Sequence, residues 1–429
     1  MNRIVLIVFI ALVLDILSFT VILPLLPRLI DHYRQMEHAN PNTLLSITLS
    51  YAAEFRHRIL GSASGNDLLR DRHVEVVLLG GALGSLFSFL QFIASPVIGA
   101  LSDKHGRRRI LLLSMVGNIV ACALWLVASD FRVFLLSRIV GGLSEGNVQL
   151  SIAIISDVTD TTSRSKGLAL VGIAFAVGFT IGPALGAWFS QQNMSIGMHP
   201  YSGAALFALI LILVEFVVIY TLLPETGHMR VDTPQETKRK NKPPKATGAL
   251  FRAFATYLFL FSGMEFTLTF LTFDVHQFSN MDQGKLLGTI GILSALLQGG
   301  YVRRQASTVT NQIKQAKLGM QACILAFVGI AYSAAFARTI YLWMGATGFA
   351  VASATVVNAF TAIVSLQCDG DAHKGKILGE LRGYGQLGRA LGPITACSLY
   401  WWLGPVWCYS IGSVCMLLLF IRVDAALST

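Results

Sequence analysis

Residues 99–109 read Gly-Ala-Leu-Ser-Asp-Lys-His-Gly-Arg-Arg-Arg, a short basic turn set between two long apolar runs. One run ends near residues 96–101, and the next begins at Ile110-Leu111-Leu112-Leu113. These flanks are too long and too apolar for ordinary core helices. As a hairpin between two membrane helices, the turn puts Lys104, Arg107, Arg108 and Arg109 on one side of a bilayer. An excess of Lys and Arg marks the cytoplasmic side, so this turn orients the rest of the chain. Composition agrees. Of the 429 residues, 13% are charged, against about a quarter in a soluble domain. Spans of about 20 residues joined by short loops leave room for roughly twelve. The formal charge of +10 does not imply nucleic acid, because the basic residues gather in loops on alternate sides of the apolar runs.

Spans are expected at about 3–26, 74–101, 110–128, 131–155, 167–190 and 202–223, then at 250–273, 285–302, 317–336, 340–366, 377–403 and 404–421. The first is too long for a cleavable signal and lacks a small-residue cleavage site. Residues 28–73 form a long polar segment, placed outside. The clear linker is 224–249, where Lys238, Arg239, Lys240, Lys242, Pro243, Pro244 and Lys245 combine proline with like charge. Such a stretch does not fold alone. The chain thus divides into an N-terminal bundle at 1–223, a basic cytoplasmic linker at 224–249 and a C-terminal bundle at 250–429. About 19 Lys and Arg fall in internal loops and about 9 in external ones, which places both termini in the cytoplasm. The cysteines, Cys122, Cys323, Cys368, Cys397, Cys408 and Cys415, fall mostly within apolar runs and show no zinc-ligand spacing. A glycosylation sequon, Asn193-Met-Ser195, lies on the external side.

The two halves look related. Gly178-Phe-Thr-Ile-Gly182-Pro183 recurs as Gly388-Arg-Ala-Leu-Gly392-Pro393, an offset of 210 residues. The segment after span one is some 36–40 residues longer than its counterpart after span seven. Allowing for that, the partner of Asp15 falls near position 265, where Glu265 stands. Two carboxylates then occupy equivalent mid-membrane positions in two six-helix halves. The expected fold is an all-α polytopic membrane protein, with twelve transmembrane helices in two pseudo-symmetric six-helix bundles. Parallel repeats around a midplane site are a transporter architecture.

Several motifs resemble the major facilitator superfamily. Residues 99–108 look like its loop motif between spans two and three. Arg138-Ile-Val-Gly141-Gly142 looks like its fourth-span motif. Gly178-xxx-Gly182-Pro183-Ala-Leu-Gly186 looks like the fifth-span motif of its antiporters. Leu14-Asp15 followed by Leu23-Pro24-Leu-Leu-Pro27, and Leu223-Pro224-Glu225-Thr226 after span six, are similar to its drug:proton antiporters, tetracycline exporters above all. General likeness extends to the animal tetracycline-transporter-like branch, to which organic-anion and drug transport have been assigned. The resemblance covers nearly the whole chain. It departs in two places: Gly299-Gly-Tyr-Val-Arg303-Arg304 keeps the charge of the loop motif but lacks its aspartate, and Ser18 and Thr20 stand where tetracycline exporters tend to have glycine.

An ionised carboxylate in hydrocarbon is expensive, so Asp15 must face a cavity, be paired or hold a proton. The same logic applies to Glu265. A polar contact between helices is the plainer alternative for both. Arg138 and Arg389 are intramembrane cations that cannot discharge themselves, so each needs a partner or an anionic ligand. Glu145 lies seven residues from Arg138, two turns along the same helix face, and a buried packing pair is the plain alternative there. Arg389 could offset Glu265 or Glu380, or receive an anionic substrate. Glu215 in span six is a weaker candidate. Asp103 with Arg107, and Arg108 beside it, read as gate chemistry that holds neighbouring helix ends together in one state and releases them in the other. Gly106 permits the tight turn. Gly178, Gly182, Pro183 and Gly186 have a conformational role, through close packing and bending of span five.

The expected function is secondary active transport of small amphipathic organic molecules, organic anions or drug-like compounds, by alternating access. An antiporter coupled to protons, with Asp15 and Glu265 titrating, is the favoured form. No Gly-xxxx-Gly-Lys-[Ser/Thr] run supports a primary pump, and no triad or metal cluster supports an enzyme or a cofactor. The partners are a small organic substrate, protons and the lipid bilayer, with no nucleic acid, and the chain is expected to act as a monomer. The plasma membrane and an internal organelle membrane both fit. Two alternatives stay open: a uniporter or lipid-handling transporter of this fold, and a non-transporting membrane receptor or scaffold.

Overall fold

The computed structural model describes residues 3–22, 25–37, 42–60, 68–160, 163–191, 199–226, 246–278, 280–368 and 374–428. Regular structure among these residues is all helical. The first half holds α1 (Arg3–Thr20), α2 (Leu26–Glu37), α3 (Leu44–Leu60), α4 (Leu68–His105), α5 (Arg107–Leu126), α6 (Phe131–Ser144), α7 (Asn147–Val158), α8 (Arg164–Gln191) and α9 (Ser202–Leu222). The second holds α10 (Ala246–Asp274), α11 (Asn280–Gly300), a 3-10 turn (Val302–Arg304), α12 (Val309–Phe336), α13 (Thr339–Gln367), α14 (Lys374–Leu403) and α15 (Pro405–Ser428).

Among the described residues, 11 stretches are long and apolar enough to cross a membrane, with α6 and α7 together making one of them. The remaining span of the twelve-helix fold is α14. It is 30 residues long but carries Lys374, Lys376, Glu380, Arg382 and Arg389, too much charge to stand out by hydropathy. Local chemistry sets several starts. Asp130 caps α6 by accepting the Val133 amide at 2.9 Å. Thr308 caps α12 by accepting the Asn311 amide at 3.3 Å. Each satisfies an amide that the first helical turn leaves open.

The polar segment 28–73 is more structured than its composition suggests. Leu26, Leu29, Ile30 and Tyr33 recur at helical spacing, which lays one face of α2 on the core. Tyr33 is fully buried; its hydroxyl donates to Ala128 O at 3.2 Å and its ring packs on Phe131 and Phe134. Helices α2 and α3 therefore pack over the end of the bundle opposite the basic turn. Helix α4 begins at Leu68, ahead of the expected residue 74.

The apolar core separates along the two halves. One cluster is built from α10–α15, with Ala153 of α7 the single residue added from the first half. Two others belong to the first half, one toward the basic end and one beneath α2 and α3, with Ala362 the single residue added from the second. The halves meet along two seams, α4 with α14 and α8 with α11. On the first seam, glycines let the backbones approach closely. A Cβ on Gly379 would stand 2.5 Å from Ser95 O, and one on Gly99 would stand 2.4 Å from Gly375 O. Such close packing is how helices associate where lipid supplies no hydrophobic drive. The thiols of all six cysteines are free, and four of them are buried.

Candidate functional site

The fourth span is broken. Helix α6 stops at Ser144, Glu145 turns to extended backbone with φ −70° and ψ 90°, and α7 restarts at Asn147. The break is held by α5. The Ser114 hydroxyl donates to Ser144 O and accepts the Gly146 amide at 2.9 Å. It thus satisfies two backbone groups that the interruption frees, as hydrocarbon requires. This overturns one expectation. Arg138 and Glu145 do not share a continuous helical face, because the helix ends between them. No ion pair joins them among the described residues. Arg138 instead lies over the rings of Trp125 at 5.7 Å and Phe134 at 5.6 Å, and its Nε donates to Ser137 Oγ at 3.3 Å.

The break places Glu145 beside Asp15. Asp15 is 4% exposed and Glu145 8%. Asn147 Nδ2 donates to Asp15 Oδ1 at 2.8 Å, and Asn118 Nδ2 donates to Glu145 Oε2 at 3.1 Å. Each carboxylate is therefore oriented by one amide. A third, Glu215 on α9, is 1% exposed, and its Oε2 has no hydrogen-bond partner. The charges of Asp15 and Glu145 both reach it. The balancing cation comes from the other half: Arg382 of α14 acts electrostatically on both Asp15 and Glu145. Its Nε is buried without a hydrogen-bond partner. Sequence reasoning singled out Arg389 on this helix and passed over Arg382, two turns earlier on the same face.

Glu265 is exposed although it sits mid-helix in α10. Arg389 is the cation whose charge acts on it. Glu380 pairs instead with Lys376, at 4.0 Å. The charged centre thus holds a cluster of acids on the first half, a single acid on the second, and two arginines on α14 between them.

A separate network closes the basic end. Arg107 is fully buried. Its Nη2 meets Asp103 Oδ1 at 2.7 Å, its Nε donates to Asp157 Oδ2 at 2.9 Å and its Nη1 donates to Ser102 Oγ at 2.6 Å. Asp103 in turn accepts the amides of Gly375 at 2.9 Å and Lys376 at 2.8 Å. A carboxylate from the first half therefore caps the N-terminus of α14 in the second, where the helix dipole favours negative charge. Lys374 Nζ donates to Ser156 O at 3.0 Å, Arg164 Nη1 to Ser365 O at 3.3 Å, and the hydroxyls of Ser156 and Ser365 meet at 2.8 Å. Gly106 has φ +99°, a conformation open to glycine and costly for other residues. A Cβ there would also stand 2.5 Å from Glu225 Oε2. Glu225 Oε1 accepts the Arg107 amide at 2.8 Å, so the Pro-Glu-Thr motif after α9 serves to cap α5. Arg108 turns away from the seam: it donates to Tyr220 O and lies over the Tyr220 ring, tying α5 to α9 within one half.

In α8, Gly178 and Gly182 face α1. A Cβ on Gly178 would stand 2.4 Å from Ile16 Cγ2, and one on Gly182 1.9 Å from Thr20 Oγ1. Thr20 Oγ1 donates to Gly178 O at 2.9 Å. Pro183 lies inside an uninterrupted α8, and Gly186 is buried. Asn193 and the basic residues 238–245 of the linker lie outside the described residues. Among the described residues no group of His, Cys, Asp and Glu could hold a metal ion.

Comparison with known proteins bears on this arrangement. The chain matches the model of the Major Facilitator Superfamily over residues 8–393. It is 33% identical to the major facilitator superfamily domain-containing protein 10 of Mus musculus, covering 98% of this chain and 92% of that protein. It is 28% identical to the class C tetracycline resistance protein of Escherichia coli, covering 76% and 82%. The crystal structure of the human organic anion transporter MFSD10 (TETRAN) is similar with a TM-score of 0.85 at 33% identity, covering 98% of this chain and 99% of that one.

Proposed function

The chain belongs to the Major Facilitator Superfamily, and on that premise we propose that it moves small amphipathic organic molecules, organic anions or drug-like compounds, by alternating access coupled to protons. Membership makes it a multi-pass integral membrane transporter of small molecules and not an enzyme. The moving units are residues 1–223 and 250–429, joined by the linker 224–249. Both termini face the cytoplasm, and the protein acts as a monomer. The tetracycline resistance relatives and the organic anion transporter structure support the substrate class.

One observation carries the coupling: Asp15 and Glu145 belong to one half, and the cation that balances them, Arg382, to the other. Rocking the halves changes that separation. While Arg382 is near, it favours the ionised carboxylates. As it withdraws, they take protons or meet a cationic group of the substrate. Glu265 and Arg389 lie within one half, so their separation does not follow the rocking, and they serve as a polar subsite for the substrate. Asp103, Arg107 and Gly106 work at the basic end, where the latch to α14 holds in one state and parts in the other.

The test is substrate-driven proton movement in liposomes containing the purified protein, screening organic anions and tetracyclines. Asp15→Asn and Arg382→Gln are run alongside. Proton movement lost in both variants, with substrate binding retained in at least one, supports the reading. Substrate flux without protons, unchanged in Asp15→Asn, overturns it in favour of a uniporter.

A further inference from the structure

In the second half, Glu265 and Arg389 are charged neighbours that do not touch. The charge of Arg389 reaches Glu265, yet among the described residues neither side chain makes a hydrogen bond or an ion pair. Arginines with a structural role here are held closely: Arg107 meets Asp103, Asp157 and Ser102, and Arg108 donates to Tyr220 O. The acid opens inward. Leu258, Phe261, Leu268 and Thr272, one and two turns away on the same face of α10, are buried. The exposed carboxylate therefore stands on the face turned to the protein interior and not to lipid. Its charge reaches Tyr257 and Cys323, both fully buried, and that of Arg389 also reaches Tyr257. Backbone contacts fix the spacing of the pair. Gly388 and Gly392 flank Arg389, and a Cβ on either would stand 2.3 Å from a carbonyl of α10, Ala255 O and Phe259 O respectively.

We propose that Glu265 and Arg389 together receive a substrate that carries both charges, a cationic group on the carboxylate and an anionic one on the guanidinium, and so select zwitterions over plain organic anions and plain cations. A charge without a partner inside a membrane protein is expensive, and a zwitterion completes both at once. A plain anion satisfies Arg389 but is repelled by Glu265; a plain cation meets the reverse. Both residues belong to one half, and their helices are in backbone contact. The pair therefore keeps its spacing as the halves rock and reads the same substrate from either side. The inference rests on the transport reading, in which these residues form a polar subsite, and narrows its substrate class.

The test titrates the purified full-length protein with norfloxacin, which carries an ammonium and a carboxylate near neutral pH. Its ethyl ester keeps only the cation, its N-acetyl derivative keeps only the anion, and all three share one fluorescent ring system. Glu265→Gln and Arg389→Gln are compared with the native protein, and Glu380→Gln, which loses a carboxylate paired with Lys376, is the control. The native protein should bind norfloxacin about tenfold tighter than either relative. Glu265→Gln should erase the preference over the N-acetyl derivative and keep that over the ester. Arg389→Gln should do the reverse, and Glu380→Gln should keep both. Neither side chain has a partner to lose, so thermal unfolding midpoints should hold, and each variant tests its own side of the pair if the other does not fold. No saturable norfloxacin binding by the native protein, no preference among the three compounds, or equal weakening of all three in the variants overturns the proposal. The transport reading fails by a separate sign, the absence of substrate-driven proton movement, which this binding measurement does not use.

Discussion

Asp15 and Glu145 are held in the same way, each by one asparagine amide, and that amide is the only protein hydrogen bond either carboxylate makes among the described residues. The sequence singled out both acids because acids in hydrocarbon need an explanation. It could not reveal that Arg382 faces them, since that relation spans hundreds of residues and depends on how α14 packs on α7. His199 offers a sharper test outside the membrane. It is 2% exposed; its Nε2–H donates to Trp125 O at 2.9 Å, and its Nδ1 accepts the Tyr201 amide at 3.2 Å. The neutral ring satisfies both contacts, and burial, with His32 nearby, lowers its pKa. The unfolded chain titrates near the ordinary value of about 6.5. Its stabilisation is therefore full above that pH and is lost as pH falls, when the unfolded state takes a proton that the folded ring resists. Thermal unfolding midpoints should drop between about pH 7 and pH 5, and His199→Gln should flatten that slope.

At the scale of the element, the break between α6 and α7 depends on a side chain from a third helix. Ser114→Ala leaves the Ser144 carbonyl and the Gly146 amide without their partner. The expected cost is about 1–3 kcal/mol, read as a lower midpoint in thermal unfolding, together with slower transport because Glu145 loses its placement. Gly106→Ala should be at least as costly, since it combines a positive φ with contact against Glu225. Helix boundaries were largely legible, because hydropathy reports them directly: α9 and α13 match their expected spans within about two residues. The break itself was hidden. Ser144-Glu145-Gly146 contains a helix breaker, but an apolar run on each side made the span read as continuous. The amphipathic period of α2 was present in the sequence too, masked by the charge of the segment around it.

For the whole molecule, the two-halves plan was legible as the repeated Gly-xxx-Gly-Pro run, while the way the halves close was not, because the latch joins a side chain to backbone. Asp103→Asn should weaken the tie to Gly375 and Lys376 and shift the population toward conformations open at the basic end. In a background lacking the native cysteines, Ser365→Cys should then react faster with a membrane-impermeant maleimide applied from that end. Gly379→Val should do the same by a different route, since its side chain meets Ser95 O along the α4–α14 seam. Unchanged labelling in both variants would remove the seam from the account of gating. The latch also leaves an uneven mutational record. Asp103 contributes a carboxylate, but what it grips is two peptide N–H groups, which every residue except proline supplies. A deep mutational scan should therefore find position 103 intolerant and position 376 permissive. Methods that look for pairs of positions changing together would miss one of the ties that join the two halves at this end.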